Sequence, residues 1–327
     1  MLMMPTFAFI IKGPMPLEYE YNGKICIRTP WEESILRGYE APYAQLTGRI
    51  YDINNAPSTI TLIAPNLAIS CAHSAKGFDN HGSLLTKWVS NNKQATRAYL
   101  ELNNQRYESS IESFYLPPGY NSESRNTISR ANDISIIKLA ENIAVNSFLP
   151  FYTDSETSIT AEAFNSAVCV SSNQIHTHLK QDNSPYYRHV TTPQITYNPD
   201  TLNFREEFFV PCYYKSVPVE SDRYGWLPYP SSFKPKTPAP SGLQGPVTPG
   251  DSGSPLMIFY KDNYHLLGIT THVQREPAYN RKTKQYRAGQ SFYNGWASLP
   301  YNLAWIKKIL EQENALSYHP ELLAIDS

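Results

Sequence analysis

One stretch of this chain repeats its apolar residues at helical spacing, and it lies near the end: Leu303, Ile306, Ile309 and Leu310. Ser298 is placed to cap it, with Pro300 inside its first turn. What precedes it reads as short strands broken by turns. Residues 44–51, 58–64 and 67–70 are alternating or β-branched, and the third runs into a small-residue turn, Cys71-Ala72-His73-Ser74. Further strands are expected over 98–102, 107–116, 134–139, 167–171, 190–197, 207–214, 265–273 and 294–299. The 24 tyrosines and 26 prolines agree with this. Tyrosine suits half-buried pleated positions, and proline suits loops and edges. Many short strands closed by one helix fit an all-β barrel architecture.

Composition removes several classes of function. With 41% hydrophobic and 17% charged residues the chain can bury a core and is not of disordered type. A net charge of −1 argues against nucleic-acid partners and against a polybasic membrane surface. No stretch reaches the ~20 apolar residues of a membrane span. The apolar N-terminus, Met1–Ile11, lacks a basic n-region, and Pro5 interrupts it, so it does not read as a convincing signal peptide. The cysteines, Cys26, Cys71, Cys169 and Cys212, include no C-x-x-C pair, which removes the usual structural zinc site. His176, His178 and His189 could in principle share a metal, but histidines on alternating strand positions are more often surface groups, and no metal or other cofactor is expected. Cys71 reads as a small buried core residue in preference to a reactive thiol.

The string that carries chemistry is Gly250-Asp251-Ser252-Gly253-Ser254-Pro255. A serine between glycines can point its hydroxyl into a cleft while backbone amides converge on a nearby point. The same residues also make an ordinary turn. Two upstream features weigh against the plain turn. His73 ends a strand, and Asp133 stands at the head of the apolar run Ile134–Leu139. A serine hydroxyl needs an adjacent base, histidine is that base near neutral pH, and a carboxylate orients the histidine. The α/β-hydrolase pattern does not fit, because its elbow is Gly-x-Ser-x-Gly in the order Ser-Asp-His.

Taken together, these blocks resemble the trypsin/chymotrypsin-like serine proteases. Ile69-Ser-Cys-Ala-His-Ser74 is similar to that family's histidine segment, and Pro118-Gly-Tyr-Asn121 with Asn132-Asp-Ile-Ser-Ile-Ile-Lys-Leu139 is similar to its aspartate block. Gly250–Pro255, Leu267-Gly-Ile-Thr-Thr271 and Trp296–Leu310 follow in the family's order. The resemblance implies two six-stranded antiparallel β-barrels and a C-terminal α-helix. It divides the chain into a leader or pro-segment (1–34), a first barrel (35–150), a second barrel with the helix (151–312) and a tail (313–327). It makes His73 the general base, Asp133 its orienting carboxylate and Ser252 the nucleophile, with the amides of Gly250 and Ser252 as oxyanion hole. Asp251 would pair with the amino group of Ile35 after zymogen cleavage. Ser34 precedes Ile35 where the family has a basic residue, so trypsin-like self-activation is not expected.

The family cysteine beside the histidine is Ser74 here, so its disulfide is lost, and Cys212 matches a family cysteine without an evident partner. Pro246, Thr271, His272, Val273 and Asn294 would line the substrate pocket and the strand edge that pairs with substrate. Nothing acidic stands there to receive Lys or Arg, so cleavage should not be tryptic. The implied partner is a protein or peptide substrate, and the implied location is exported or secreted. The residues 215–247, rich in proline, serine and tyrosine, read either as a surface insertion lining a cleft or as a disordered loop. The competing function is a catalytically silent binding protein on the same fold.

Overall fold

The structure is a computed structural model that describes residues 17–21, 24–28, 43–52, 56–75, 97–102, 105–121, 131–154, 159, 167–173, 187–191, 195–196, 213–216, 219–220, 250–280 and 285–326. The first described element is an antiparallel hairpin, β1 (Leu17–Tyr21) and β2 (Lys24–Arg28), within the segment expected to be a leader. Six strands follow: β3 (Thr47–Tyr51), β4 (Pro57–Ala64), β5 (Leu67–Ser70), β6 (Arg97–Leu102), β7 (Gln105–Tyr115) and β8 (Ser135–Leu139). They close into an antiparallel barrel in the order β3-β4-β5-β8-β7-β6. Closure leaves no sheet edge, and the inward residues, among them Ile50, Ile60, Leu62, Ile69, Leu100 and Ile137, are fully buried. Each contributes about 1.5–3 kcal/mol relative to exposure.

The second unit contains β9 (Val168–Asn173), β10 (Tyr187–Thr191), β11 (Ile195–Thr196), β12 (Tyr213–Ser216), β13 (Val219–Glu220), β14 (Pro255–Tyr260), β15 (Asn263–Asn280) and β16 (Gln285–Ser298). They form one eight-stranded sheet in the order β10-β9-β14-β15-β16-β12-β11, with β13 also on β16. Among the described residues this sheet is open, and the closed barrel seen among them is the first. β15 and β16 are much longer than the sequence suggested, running together as a hairpin well past the end of β14. The reason is legible only in pairing. Asn263–Asn280 carries Pro277 and alternates poorly, but a partner strand runs in register beside most of its length.

The terminal helix, α1 (Leu303–Gln312), turns Leu303, Ile306, Ile309 and Leu310 inward, as the spacing requires. A 3₁₀ turn at Pro300–Asn302 precedes it, and Tyr301 N–H donates to Ser298 Oγ (3.3 Å). After the helix the chain does not trail away. Two more 3₁₀ turns, Leu316–Tyr318 and Pro320–Ala324, pack it against the first barrel. His319 is fully buried there, between the Ile63 carbonyl (2.6 Å from Nε2) and Glu321 (3.0 Å from Nδ1), with its ring on Phe151. Glu321 also accepts from Phe151 N–H (2.9 Å). The closing segment therefore clasps the barrel to the strand-like connection at Phe151.

Candidate active site

β5 and β8 are antiparallel neighbours, with Ser70 opposite Ser135. His73 lies three residues past the end of one and Asp133 two residues before the start of the other, so the two side chains leave the same end of the barrel. A 3₁₀ turn over Ala72–Ala75 carries the histidine. Asp133 grips it twice. Oδ2 accepts from His73 Nδ1 (2.8 Å), and Oδ1 accepts from the His73 backbone N–H (2.8 Å). The aspartate is buried and the histidine half-buried, with 34% of its side chain exposed. The bidentate grip fixes both ring position and tautomer, since a carboxylate can only accept. Ser135 Oγ ties the turn down by donating to the Cys71 carbonyl (3.0 Å). Tyr120, from the turn after β7, lies close enough that burial and the Asp133 charge raise its phenol above the ordinary range.

The far face of the ring meets a residue that nothing in the sequence marks as its neighbour. Cys71 Sγ lies 3.5 Å from His73 Nε2 and 2.7 Å from Ser74 Oγ, and the thiol is free and buried. Burial alone would lower the imidazole pKa. The Cys71 sulfur and the Asp133 carboxylate outweigh it and hold His73 well above its ordinary value. Ser74 Oγ donates in turn to Ser58 Oγ (2.6 Å). A hydrogen bond thus links this turn to β4. Cys169 is also free; full burial pushes its thiol up to about 12, and it stays protonated in the core.

The serine loop arrives from the second unit and lies directly on the first. Thr59 N–H on β4 donates to the Ser252 carbonyl (2.7 Å), and Ser70 Oγ on β5 donates to the Thr59 carbonyl (2.6 Å). Behind the loop, Gly253 N–H donates to Thr270 O (2.8 Å) and Thr270 N–H to Ser254 O (2.9 Å). Gly253 has φ +82°, and a Cβ there would stand 2.1 Å from Thr59 O and 2.2 Å from Ser70 Oγ. Gly250 has φ +104°. Both positions demand glycine. Among the described residues neither the Gly250 nor the Ser252 amide has an acceptor.

Asp251 is fully buried, and its Oδ1 accepts from Ser171 Oγ (2.7 Å). Ser171 Oγ in turn lies 3.3 Å from Thr59 Oγ1, which accepts from Ser172 N–H (3.1 Å). A polar relay thus joins the residue before the serine to the strand that holds the serine carbonyl. Ile35, its expected partner, lies outside the described residues, as does Pro246. His272, Val273 and Asn294 are placed by the β15–β16 register alone, and Thr271 is buried with its Oγ1 donating to Gly295 O (3.2 Å).

The fold therefore brings His73 and Asp133 into contact and sets the Ser252 loop on the strand beside them. Among the described residues no hydrogen bond joins Ser252 Oγ to His73; Nε2 faces Cys71 instead. The histidines 176 and 178 fall outside the described residues, as does the side chain of His189. No group of His, Cys, Asp or Glu able to hold a metal occurs among the described residues. Nor is any helix among them long and apolar enough to cross a membrane. A scan against protein-family models finds no match, and a search of curated proteins finds none either.

Proposed function

We propose that this chain is an exported serine endopeptidase of chymotrypsin-like fold, whose second sheet completes a second barrel and which hydrolyses peptide bonds through an acyl-enzyme on Ser252. The observation that carries the reading is the coincidence of two independent local structures. A histidine is gripped twice by a buried carboxylate, and a doubly glycine-dependent serine loop is hydrogen-bonded to the strand next to that histidine. A turn of purely structural function has no use for both.

In the reaction His73 Nε2 takes the Ser252 Oγ proton as the oxygen attacks the carbonyl carbon. Asp133 keeps Nδ1 protonated and stabilises the imidazolium, which the raised pKa of His73 also favours. The amides of Gly250 and Ser252 receive the developing oxyanion. His73 then returns the proton to the leaving amine, and water repeats the sequence on the acyl-enzyme. Formation of the Ser252–His73 hydrogen bond is part of assembling this state, since such bonds commonly tighten only with substrate in place. Asp251, buried beside the nucleophile, is the natural receptor for an amino group at Ile35, which would make the enzyme a zymogen. Pro246, Thr271, His272, Val273 and Asn294 would line the pocket and include no acid to receive a basic side chain, so cleavage should follow apolar or small residues.

A fluorophosphonate probe tests the reading. It should label the wild-type protein and not Ser252→Ala, with the adduct mapped to Ser252 by mass spectrometry. One observation favours a second reading, a silent binding protein on the same fold: Nε2 is turned to Cys71 rather than to the serine. Failure of the processed protein to label would select it.

A further inference from the structure

β15 is 18 residues long and β14 only 6. β14 pairs with β15 no further than Pro255–Ile269, so from His272 onward β15 pairs with β16 alone among the described residues. The other edge carries backbone N–H and C=O groups, as any strand edge does. It begins beside the nucleophile, because Thr270 turns both its N–H and its C=O to Ser254 and Gly253. In an antiparallel ladder successive residues turn these groups to alternate sides. Thr271 is the extra residue of a bulge, since Thr270 faces Trp296 and His272 faces the adjacent Gly295. Continuing along the register, His272, Gln274 and Glu276 bond inward to β16, while Val273 and Arg275 present their backbone groups outward. Pro277 then falls in a second register break, between Glu276 and Ala278, and it has no N–H to offer.

We infer that the backbone of Arg275 is a second main-chain clamp for the substrate, two residues further from the scissile bond than the pairing at Val273, and that Pro277 ends the clamp. The inference rests on the endopeptidase reading. β15 runs away from Ser252, so an antiparallel partner runs toward it. The bound segment is therefore the acyl side, N-terminal to the scissile bond, held extended. The substrate class this selects is an unfolded or loosely held polypeptide with several extended residues before the cut, because a folded segment has its own backbone groups already paired.

Fluorogenic peptides lengthened one residue at a time at the N-terminus read this directly in kcat/KM. Two rises are expected, two residues apart, the second about tenfold because it adds two backbone hydrogen bonds, with no gain beyond it. N-methylation of the residue opposite Arg275 should remove the second rise, while N-methylation of either neighbour should not. Arg275→Pro removes the outward N–H without touching the ladder to β16 and should flatten the long-to-short ratio; Arg275→Ala keeps the backbone and should preserve it. A single rise, or a gain only on lengthening the leaving side, overturns the clamp. Fluorophosphonate labelling of Ser252 is measured on the same wild-type sample. Labelling with length-independent cleavage refutes this inference alone, whereas no labelling and no cleavage at any length refutes the endopeptidase reading with it.

Discussion

Gly253→Ala is a one-methyl perturbation with a large expected effect. The new Cβ would sit 2.1 Å from the Thr59 carbonyl and 2.2 Å from Ser70 Oγ. The first of these is backbone of a closed barrel and cannot swing aside. Reaching ordinary contact at 3.4 Å requires the serine loop to retreat by roughly 1.3 Å, the difference between 3.4 and 2.1. That retreat takes the Thr59 N–H to Ser252 O bond from 2.7 Å to beyond hydrogen-bonding range and strains Gly253 N–H to Thr270 O. Two such bonds are worth about 2 kcal/mol. The left-handed φ of +82° adds about 1–2 kcal/mol for any residue with a Cβ. Stability should fall by about 3–4 kcal/mol, read as the shift in urea midpoint at constant slope. Misplacing the nucleophile by about 1 Å should also slow fluorophosphonate labelling on the order of 100-fold. Wild-type midpoint and wild-type labelling rate in Gly253→Ala would refute the docking of this loop on β4.

Asp133→Asn should leave the fold in place but present the wrong imidazole tautomer, lowering kcat by about 10⁴ in a single-turnover assay. The labelling rate should rise with pH through a midpoint above the ordinary imidazole range, because His73 is held protonated by Cys71 and Asp133. Cys71→Ala, which removes one of those two, should move that midpoint to lower pH. The sign for stability is the opposite one. His73 has a folded pKa above its unfolded value, so its contribution is complete below about 6.5 and is lost as pH rises through the folded value. Glu321→Ala should strip the partners from His319 and from Phe151 N–H and cost about 2–4 kcal/mol in denaturant. Burial would raise the Glu321 pKa, but His319 and the Phe151 amide outweigh it and lower it. The wild-type clasp should therefore hold above the unfolded carboxyl value and weaken as pH falls through the folded one.

The sequence by itself determined the local pieces. Alternation and β-branching located most strands of the first barrel, and the spacing of Leu303, Ile306, Ile309 and Leu310 located the helix and its buried face. The bracketing glycines marked Ser252, and the strand-to-turn boundaries marked His73 and Asp133. These are short-range properties, set by periodicity and by backbone conformations that few residues tolerate. Only the tertiary structure decided what these pieces touch. That Ser70 and Ser135 are opposite, and so deliver His73 and Asp133 to one point, is a matter of strand register across a closed sheet. That Thr59 holds the serine carbonyl, that Cys71 backs the imidazole, and that His319 buries itself under Ile63 are contacts between residues whose types give no hint of them. The same holds for the long β15–β16 hairpin, because a strand that neither alternates nor avoids proline exists only through its partner. Hydrogen bonds across such distances are fixed by packing, and packing is a property of the whole chain rather than of any stretch of it.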